Sequence, residues 1–354
     1  MISPVVRRGS ALASQLGLSD RLRATPADRE FFRSVESGLE DVEAGLRDQV
    51  EFADEIADVT TRYLLNAGGK RVRPMLTLLT AHLGAGVTPD VITAATAVEI
   101  THLASLHHDD VMDDADKRRG VPSAQTVWGN SVAILAGDLL FARASQLMAS
   151  LGEGAIRLQA ATFERLVLGQ LHETVGPRAD EDPVAHYIDV LADKTGSLIA
   201  AAARAGVIFS GASSEYEQPI VEYGERIGVA FQLIDDVIDL SPQPAETGKV
   251  PGTDLRAGVV TLPLLRLREY AVTDAASADL LARLEAGVIG LLDVDEATAD
   301  ALVAELRDHP VTAATLAEAH RWAREAVAAL DPLPKGHVKK ALIRFADTIV
   351  ERSS

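Results

Sequence analysis

No cysteine occurs in the 354 residues, which excludes disulfides, thiolate zinc sites and thiol nucleophiles together. Cations are scarce as well: 34 Lys and Arg stand against 52 Asp and Glu, a formal net charge of −18. Nucleic-acid backbones are held by surplus Lys and Arg, so no nucleic-acid partner is expected, and an anionic ligand needs a local basic cluster or a metal. No run of about 18 apolar residues passes without a charge, so no segment reads as membrane-spanning. The opening MISPVVRRGSALASQLGLSD lacks the unbroken apolar stretch of a secretory signal, and the expected location is cytoplasmic. Strand signals are nearly absent, and there is no repeat of fixed period and no low-complexity linker.

What is present is helical. With 47% hydrophobic residues the chain can bury a large core. From Pro26 to Asn66 the apolar positions Phe31, Val35, Leu39, Val42, Leu46 and Val50 recur at spacings of three and four, the amphipathic helix period. Further helices are expected over about 70–84, 90–115, 124–150, 154–175, 184–210 and 214–240, with several more after Thr261. Turn-forming stretches such as GAGVTPD and VGPRADEDP separate them. The expectation is a flexible tail over 1–25 followed by an all-α, single-domain bundle over 26–354.

Charge concentrates in HHDDVMDDADKRRG, residues 107–120. On a helix Asp109 and Asp113 are i and i+4, and Asp110 and Asp113 are i and i+3, so the three carboxylates share a face and repel. Oxygen ligands in a cysteine-free chain suit Mg²⁺, while a solvated acidic helix end is the plain alternative. The same spacing recurs in FQLIDDVID as Asp235, Asp236 and Asp239, here among Phe231, Leu233, Ile234, Val237, Ile238 and Leu240. Carboxylates in so apolar a helix need a metal or hydrogen-bonded partners. Two matching triads are therefore expected to form two walls of one Mg²⁺ site, and Mg²⁺ completes its shell with water and phosphate oxygens. The implied substrate is a phosphate or diphosphate.

Cations to hold it occur in GGKRVRP, where Lys70, Arg71 and Arg73 follow paired glycines at a helix start, and in KRRG, Lys117 to Gly120. A Walker A loop is excluded, because it would need glycine where Leu64 stands and Ser or Thr where Arg71 stands. An EF-hand is excluded because the sixth loop position lacks glycine whether Asp109 or Asp110 starts the loop.

Together GGKRVRP, HHDDVMD with RRG, Gly137-Asp138, DKTGSL at 193–198, FQLIDDVID and GKVPGTDL at 248–255 resemble, in order and spacing, the all-trans polyprenyl diphosphate synthases over about residues 30–350. The resemblance implies an isoprenoid synthase bundle of roughly a dozen helices around a central cavity, a homodimer, and condensation of isopentenyl diphosphate with an allylic diphosphate. It implies that Asp109, Asp110, Asp113, Asp235, Asp236 and Asp239 bind about three Mg²⁺, and that Arg118 touches the allylic diphosphate. Lys70, Arg73, His102 and Arg119 would hold isopentenyl diphosphate, while Lys194, Thr195, Gln232 and Lys249 would flank the reacting carbon and leaving group. A histidine on an apolar helix is more often simply packed; the position of His102 seven residues before Asp109 favours the functional reading.

One departure stands out in DLRAGVVTLP, where Val259 occupies a position that is commonly lysine in that family and Arg256 is the nearest substitute. Chain length is read from the residues before the first triad: Ala97, Thr101, Ala104 and Ser105 are all small, and the resemblance makes such a stripe an open product tunnel; beyond it, Leu139, Leu140 or Phe141 is the expected floor. The expected product is C30 to C50, a quinone side-chain precursor made from farnesyl or geranylgeranyl diphosphate, with Ala104→Phe shortening it. A C20 geranylgeranyl diphosphate synthase is the alternative. A class I terpene cyclase would mix Asn, Ser or Thr and Glu at the second triad, and a phosphohydrolase built on His108 and Asp109 leaves that triad unexplained. A greasy product also leaves room for peripheral membrane contact at release.

Overall fold

Thr25 opens the first helix with a reciprocal cap: its hydroxyl accepts from the Asp28 N–H while the Asp28 carboxylate accepts from the Thr25 N–H, and Pro26 takes the first helical position. The computed structural model describes residues 25–241, 250–289 and 295–352, which hold sixteen α-helices and one two-residue hairpin. Helix α1 (Pro26–Gln49) buries Phe31, Val35, Leu39, Val42 and Leu46, the stripe expected from their spacing. It does not continue to Asn66. Asp54 accepts from the Ala57 N–H at 3.0 Å and starts α2 (Glu55–Asn66), so a side-chain cap divides one apolar pattern into two helices. Then follow α3 (Val72–Ala81), α4 (Pro89–Met112), the hairpin β1 (Lys117–Arg118) with β2 (Val121–Pro122), α5 (Ala124–Trp128) and α6 (Asn130–Ser150). Gly129, at φ 83°, separates α5 from α6 where one helix was expected. The remainder is α7 (Glu153–Val175), α8 (Pro183–Leu191), a π-helical turn (Ala192–Gly196), α9 (Ser197–Phe209), α10 (Glu217–Asp239), α11 (Thr253–Arg256), α12 (Leu262–Ala271), α13 (Ala275–Gly287), α14 (Glu296–Asp308), α15 (Pro310–Ala329) and α16 (His337–Glu351).

Contacts group the chain into two units that interrupt one another in sequence: 1–165, 197–224 and 329–345 in the first, and 166–196, 225–328 and 346–354 in the second. No single cut separates them. In the first unit α4 is the central element, packed on α6, α3, α9 and α1. It is apolar on nearly every side, with Val91, Ala94, Ala95, Ile100, Leu103 and Ala104 all buried, as a helix surrounded by others must be. Helices α3 and α9 touch through backbone: Thr77 and Thr80 donate their hydroxyls to the Ala202 and Ala203 carbonyls at 2.8 and 2.7 Å. Gly206 permits this, since a Cβ there would lie 2.1 Å from the Thr77 carbonyl oxygen.

Helix α6 is long and apolar enough to cross a membrane by length and composition, although no uncharged run of that length occurs in it. Asp138 and Arg143 interrupt it, and its main packing partner is α4. In the second unit one cluster gathers Leu191, Val229, Leu233, Ile234, Leu262 and Ala319, and another gathers Leu264, Leu267, Leu280, Leu284, Val303 and Leu306 from α12, α13 and α14.

Candidate active site

In the first unit, α4 ends inside the first acidic motif. Asp113 caps its C-terminus and donates its N–H to the Asp109 carbonyl at 2.8 Å; Asp114 then turns the chain at φ 47°. Asp110 is fully buried. One of its carboxylate oxygens accepts from Arg118 Nε at 2.6 Å, and the other is buried with no partner among the described residues. Burial pushes this carboxyl above its usual range, against the pull of Arg118. Asp113 is exposed and Asp109 half-buried, and among the described residues no three His, Asp or Glu side chains converge as a ready metal cluster. Three carboxylates without a counter-ion are expected to splay apart. The buried, unpartnered oxygen of Asp110 and the all-oxygen donor set fit a hard cation such as Mg²⁺.

The hairpin after this motif aims two arginines in different directions. Arg119 and Gly120 have φ of 54° and 80°, the two positive values of a type I′ turn. Arg118 points back to Asp110, whereas Arg119 donates to the Leu64 carbonyl at 2.8 Å and to the Gly68 carbonyl. Burial lowers Arg119 to about 10, the nearby Glu99 opposing and Arg71, Arg118 and Arg73 adding to the shift. Arg73 enters from α3, its Nε buried and without a partner among the described residues. Burial lowers it too, while Glu99 and Asp109 raise it. Half-buried His102 lies amid these cations: burial first, then Arg73, Arg119, Arg118 and Arg71, hold it well below its usual value, so it is neutral. The cluster therefore brings His102, Arg73, Arg118 and Arg119 together with Arg71. Lys70 lies in the same loop, between Gly69 and Arg71.

Sequence reasoning left out the acids that hold this cluster. Arg71, at φ 52°, donates Nε to Glu43 at 2.5 Å and Nη1 to Glu99 at 3.1 Å. Glu99 is 2% exposed, a lone carboxylate on the otherwise apolar middle of α4, and that isolation was the available signal. His107 is fully buried with neither ring nitrogen partnered among the described residues, and burial lowers it to about 4. His108 bonds the Ile134 carbonyl at 3.0 Å and lies 3.4 Å from Asp138, where Gly137 leaves room for its ring.

The second triad, in the second unit, is better partnered. Buried Asp236 accepts from the Tyr187 hydroxyl at 2.8 Å and the Leu262 N–H at 3.3 Å, yet burial still pushes it up to about 7. Tyr187 is driven well above its usual value by burial and by Asp236. Asp239 accepts from the Asp254 N–H at 3.1 Å, and Asp235 pairs at 3.2 Å with Arg352, whose guanidinium covers the Phe231 ring. Tyr187 and Arg352 carried no local motif. Lys194 and Thr195 occupy the π-helical turn, a feature frequent at functional sites, and Lys194 pairs with Glu173 of α7. Gly169 lets α7 meet this turn, since a Cβ there would lie 2.5 Å from the Lys194 nitrogen. Gln232 is half-buried on α10, and Lys249 lies outside the described residues. Arg256 does not stand in for the lysine replaced by Val259, because Glu296, Asp300 and the Pro251 carbonyl hold it at 2.9, 2.7 and 3.1 Å.

The polyprenyl synthetase family model matches residues 54–286. The chain belongs to this family. It is 43% identical over 326 residues to a nonaprenyl diphosphate synthase of Mycobacterium tuberculosis, covering 92% of this chain and 95% of the relative. A polyprenyl synthase of Caulobacter crescentus, solved with calcium and isoprenyl diphosphate, superposes with a TM-score of 0.81 at 31% identity over 92% of this chain and 97% of that one. A geranylgeranyl pyrophosphate synthase of Corynebacterium glutamicum, also with calcium and isoprenyl diphosphate, gives 0.78 at 40% identity over 94% and 99%. This polyprenyl synthase is thus an all-α isoprenoid-type trans-prenyl diphosphate synthase, a transferase, and the cyclase and phosphohydrolase readings fall away.

Within the synthase's first unit, Ala97 and Thr101 line a narrow cavity with Met148, Leu158, Thr162 and Leu198. Its volume is about 10 Å³, room for about one water, so a prenyl chain would enter only by displacing adaptable side chains such as Met148. Ala104 lies instead in the core cluster with Leu140 and Ala144, and Ser105 turns its hydroxyl to the His102 carbonyl. Leu139, Leu140 and Phe141 are not among the residues that line this cavity. Leu140 is fully buried in the core, Leu139 is exposed, and Phe141 packs on Phe163 with ring centres 4.3 Å apart.

Proposed function

We propose that this synthase condenses isopentenyl diphosphate with farnesyl or geranylgeranyl diphosphate to give an all-trans C30 to C50 product for a quinone side chain. The observation that carries the diphosphate chemistry is the buried cluster of arginines around neutral His102, one of them with an unpartnered Nε. Long-chain output is supported by the nonaprenyl relative and by the small side chains of Ala97 and Thr101 at the cavity, two and three turns below Asp109. The Corynebacterium geranylgeranyl enzyme favours the second reading, a C20 product.

In this mechanism Lys70, Arg73, His102 and Arg119 bind the diphosphate of isopentenyl diphosphate. Neutral His102 adds a hydrogen bond without adding to the repulsion among the arginines. Arg118, Lys194, Thr195, Gln232 and Lys249 bind the allylic partner and its leaving diphosphate, so charge developing on the departing oxygen meets fixed donors. The allylic cation is attacked by the double bond of isopentenyl diphosphate, and a proton then leaves from the adjacent carbon to the released diphosphate. About three Mg²⁺, held by Asp109, Asp110, Asp113, Asp235, Asp236 and Asp239, would supply further positive charge against that leaving group. Apolar helix walls keep water from quenching the cation.

The reading includes a homodimer formed through the exposed apolar face of α6, where Leu135 is 60% exposed beside Ile134 and Leu139. It also includes a cytoplasmic location, since both diphosphates are too charged to cross a bilayer unaided, with peripheral membrane contact as the product leaves. The test is incubation with labelled isopentenyl diphosphate, Mg²⁺ and each primer, followed by chromatography of the dephosphorylated products. A ladder ending at one long prenol is expected. Products ending at C20 replace the long-chain reading with the second one, and no extension overturns both.

A further inference from the structure

The buried carboxylate of Glu99 belongs to none of the diphosphate-binding or metal-binding motifs, yet it sits where three of their arginines meet. It lies one helical turn before His102 on α4, accepts from Arg71 Nη1 at 3.1 Å, and is 2% exposed. Arg71 is 9% exposed and is held on its other edge by Glu43 at 2.5 Å. The same Nη1 reaches the Gly68 carbonyl at 3.4 Å, and that carbonyl also accepts from Arg119. Gly69 completes the fit, since a Cβ there would lie 2.4 Å from Arg71 Nη1. A continuous set of contacts therefore runs from Glu99 through Arg71 and the Gly68 carbonyl to Arg119. It also fixes the left-handed turn at Arg71 that carries Lys70 on one side and launches Arg73 on the other.

We propose that Glu99 is a positioning residue for the isopentenyl diphosphate subsite, setting Arg119, Arg73 and the Lys70 loop through Arg71 before the anion arrives. This rests on the assignment of Arg73, His102 and Arg119 to that subsite. A carboxylate near an anion site could act oppositely, by repelling the ligand. Its charge is, however, already paired with Arg71, so at the ligand it acts as part of a nearly neutral pair and its geometric effect dominates. Without it, guanidiniums that repel one another are free to separate, and binding must reassemble them. Glu99 is not a catalytic residue, because its contacts are to other side chains.

Isothermal titration of the full chain with isopentenyl diphosphate, and separately with a non-reactive farnesyl thiodiphosphate in the presence of Mg²⁺, tests this in Glu99→Gln. The amide keeps the shape and one acceptor but loses the charge that locks Arg71. The expected result is an isopentenyl diphosphate Kd raised about tenfold, with the farnesyl analogue changed less than twofold. A Kd that is unchanged or lowered overturns the proposal, and so does equal weakening of both ligands. No binding of isopentenyl diphosphate by the wild type overturns the functional assignment and this inference with it. Should Glu99→Gln not fold, Glu43→Gln, at a partly exposed position, removes the other anchor of Arg71. It is expected to weaken isopentenyl diphosphate alone by about threefold, and no change there overturns the proposal.

Discussion

Replacing His107 with leucine should stabilise this enzyme, and by more in acid than at neutral pH. His107 is fully buried one turn beyond Leu103 on α4, and neither ring nitrogen has a partner among the described residues. At pH 7 the ring is neutral and pays only for its unpartnered nitrogens, so leucine of similar volume should gain about 1–3 kcal/mol. The acid side follows from linkage. Burial lowers the folded value to about 4 against an ordinary 6.5, so between these values the unfolded chain binds a proton that the folded one refuses. Stability from this site is intact above pH 6.5, falls as pH drops through that value, and levels off below about 4. The wild type therefore loses about 2 kcal/mol here between pH 7 and pH 5, and His107→Leu does not. Denaturant melts of both proteins at the two pH values, without metal or substrate, give the difference directly. A gain for leucine that is the same at pH 5 as at pH 7 would refute the reasoning, because the folded imidazole would then be protonating freely.

Thr101→Phe adds more volume than the cavity holds, so it should displace Met148, close this path beside α4 and shorten the major product by at least one isoprene unit, read by chromatography of the dephosphorylated prenols. Ala104→Phe should instead cost about 1–3 kcal/mol of stability by overpacking the Leu140 cluster, read as a lowered melting temperature. Tyr187→Phe removes the hydroxyl that steadies Asp236, and should raise the Mg²⁺ concentration for half-maximal activity about tenfold, read by metal titration at saturating substrates.

The periodicity of Phe31 to Val50 was enough to place α1 and its buried face, and caps such as Thr25 and Thr88 are visible as residue types in the right places. The break at 50–54 was less legible, because an apolar period does not record where a competing cap such as Asp54 interrupts it. Both aspartate motifs were plain from spacing, but their partners were not: Tyr187 meets Asp236 across 49 residues, and no local pattern announces such a pair. Of the chain-length stripe the spacing shows four small residues, and the fold brings Ala97 and Thr101 to one narrow cavity. Ala97 and Ala104 are seven residues apart, nearly two full α-helical turns, so they lie on one side of α4 and differ in depth: Ala97 clusters with Met148 of α6, and Ala104 with Leu140 and Ala144 of the same helix. Arg256 shows the converse limit, since a cation near a missing cation looked like a substitute until its carboxylate partners on α14 were seen.

Helix α6 has a consequence for how the protein is made. Its hydropathy would suit a bilayer, and an unpacked copy would expose a long apolar surface. Its principal partner, α4, lies upstream, so that partner has already left the ribosome when α6 emerges. The order of the helices along the chain thus gives this long apolar segment a place to dock from the moment of its synthesis. Had the two helices been encoded in the reverse order, α6 would wait uncovered, open to misinsertion or aggregation.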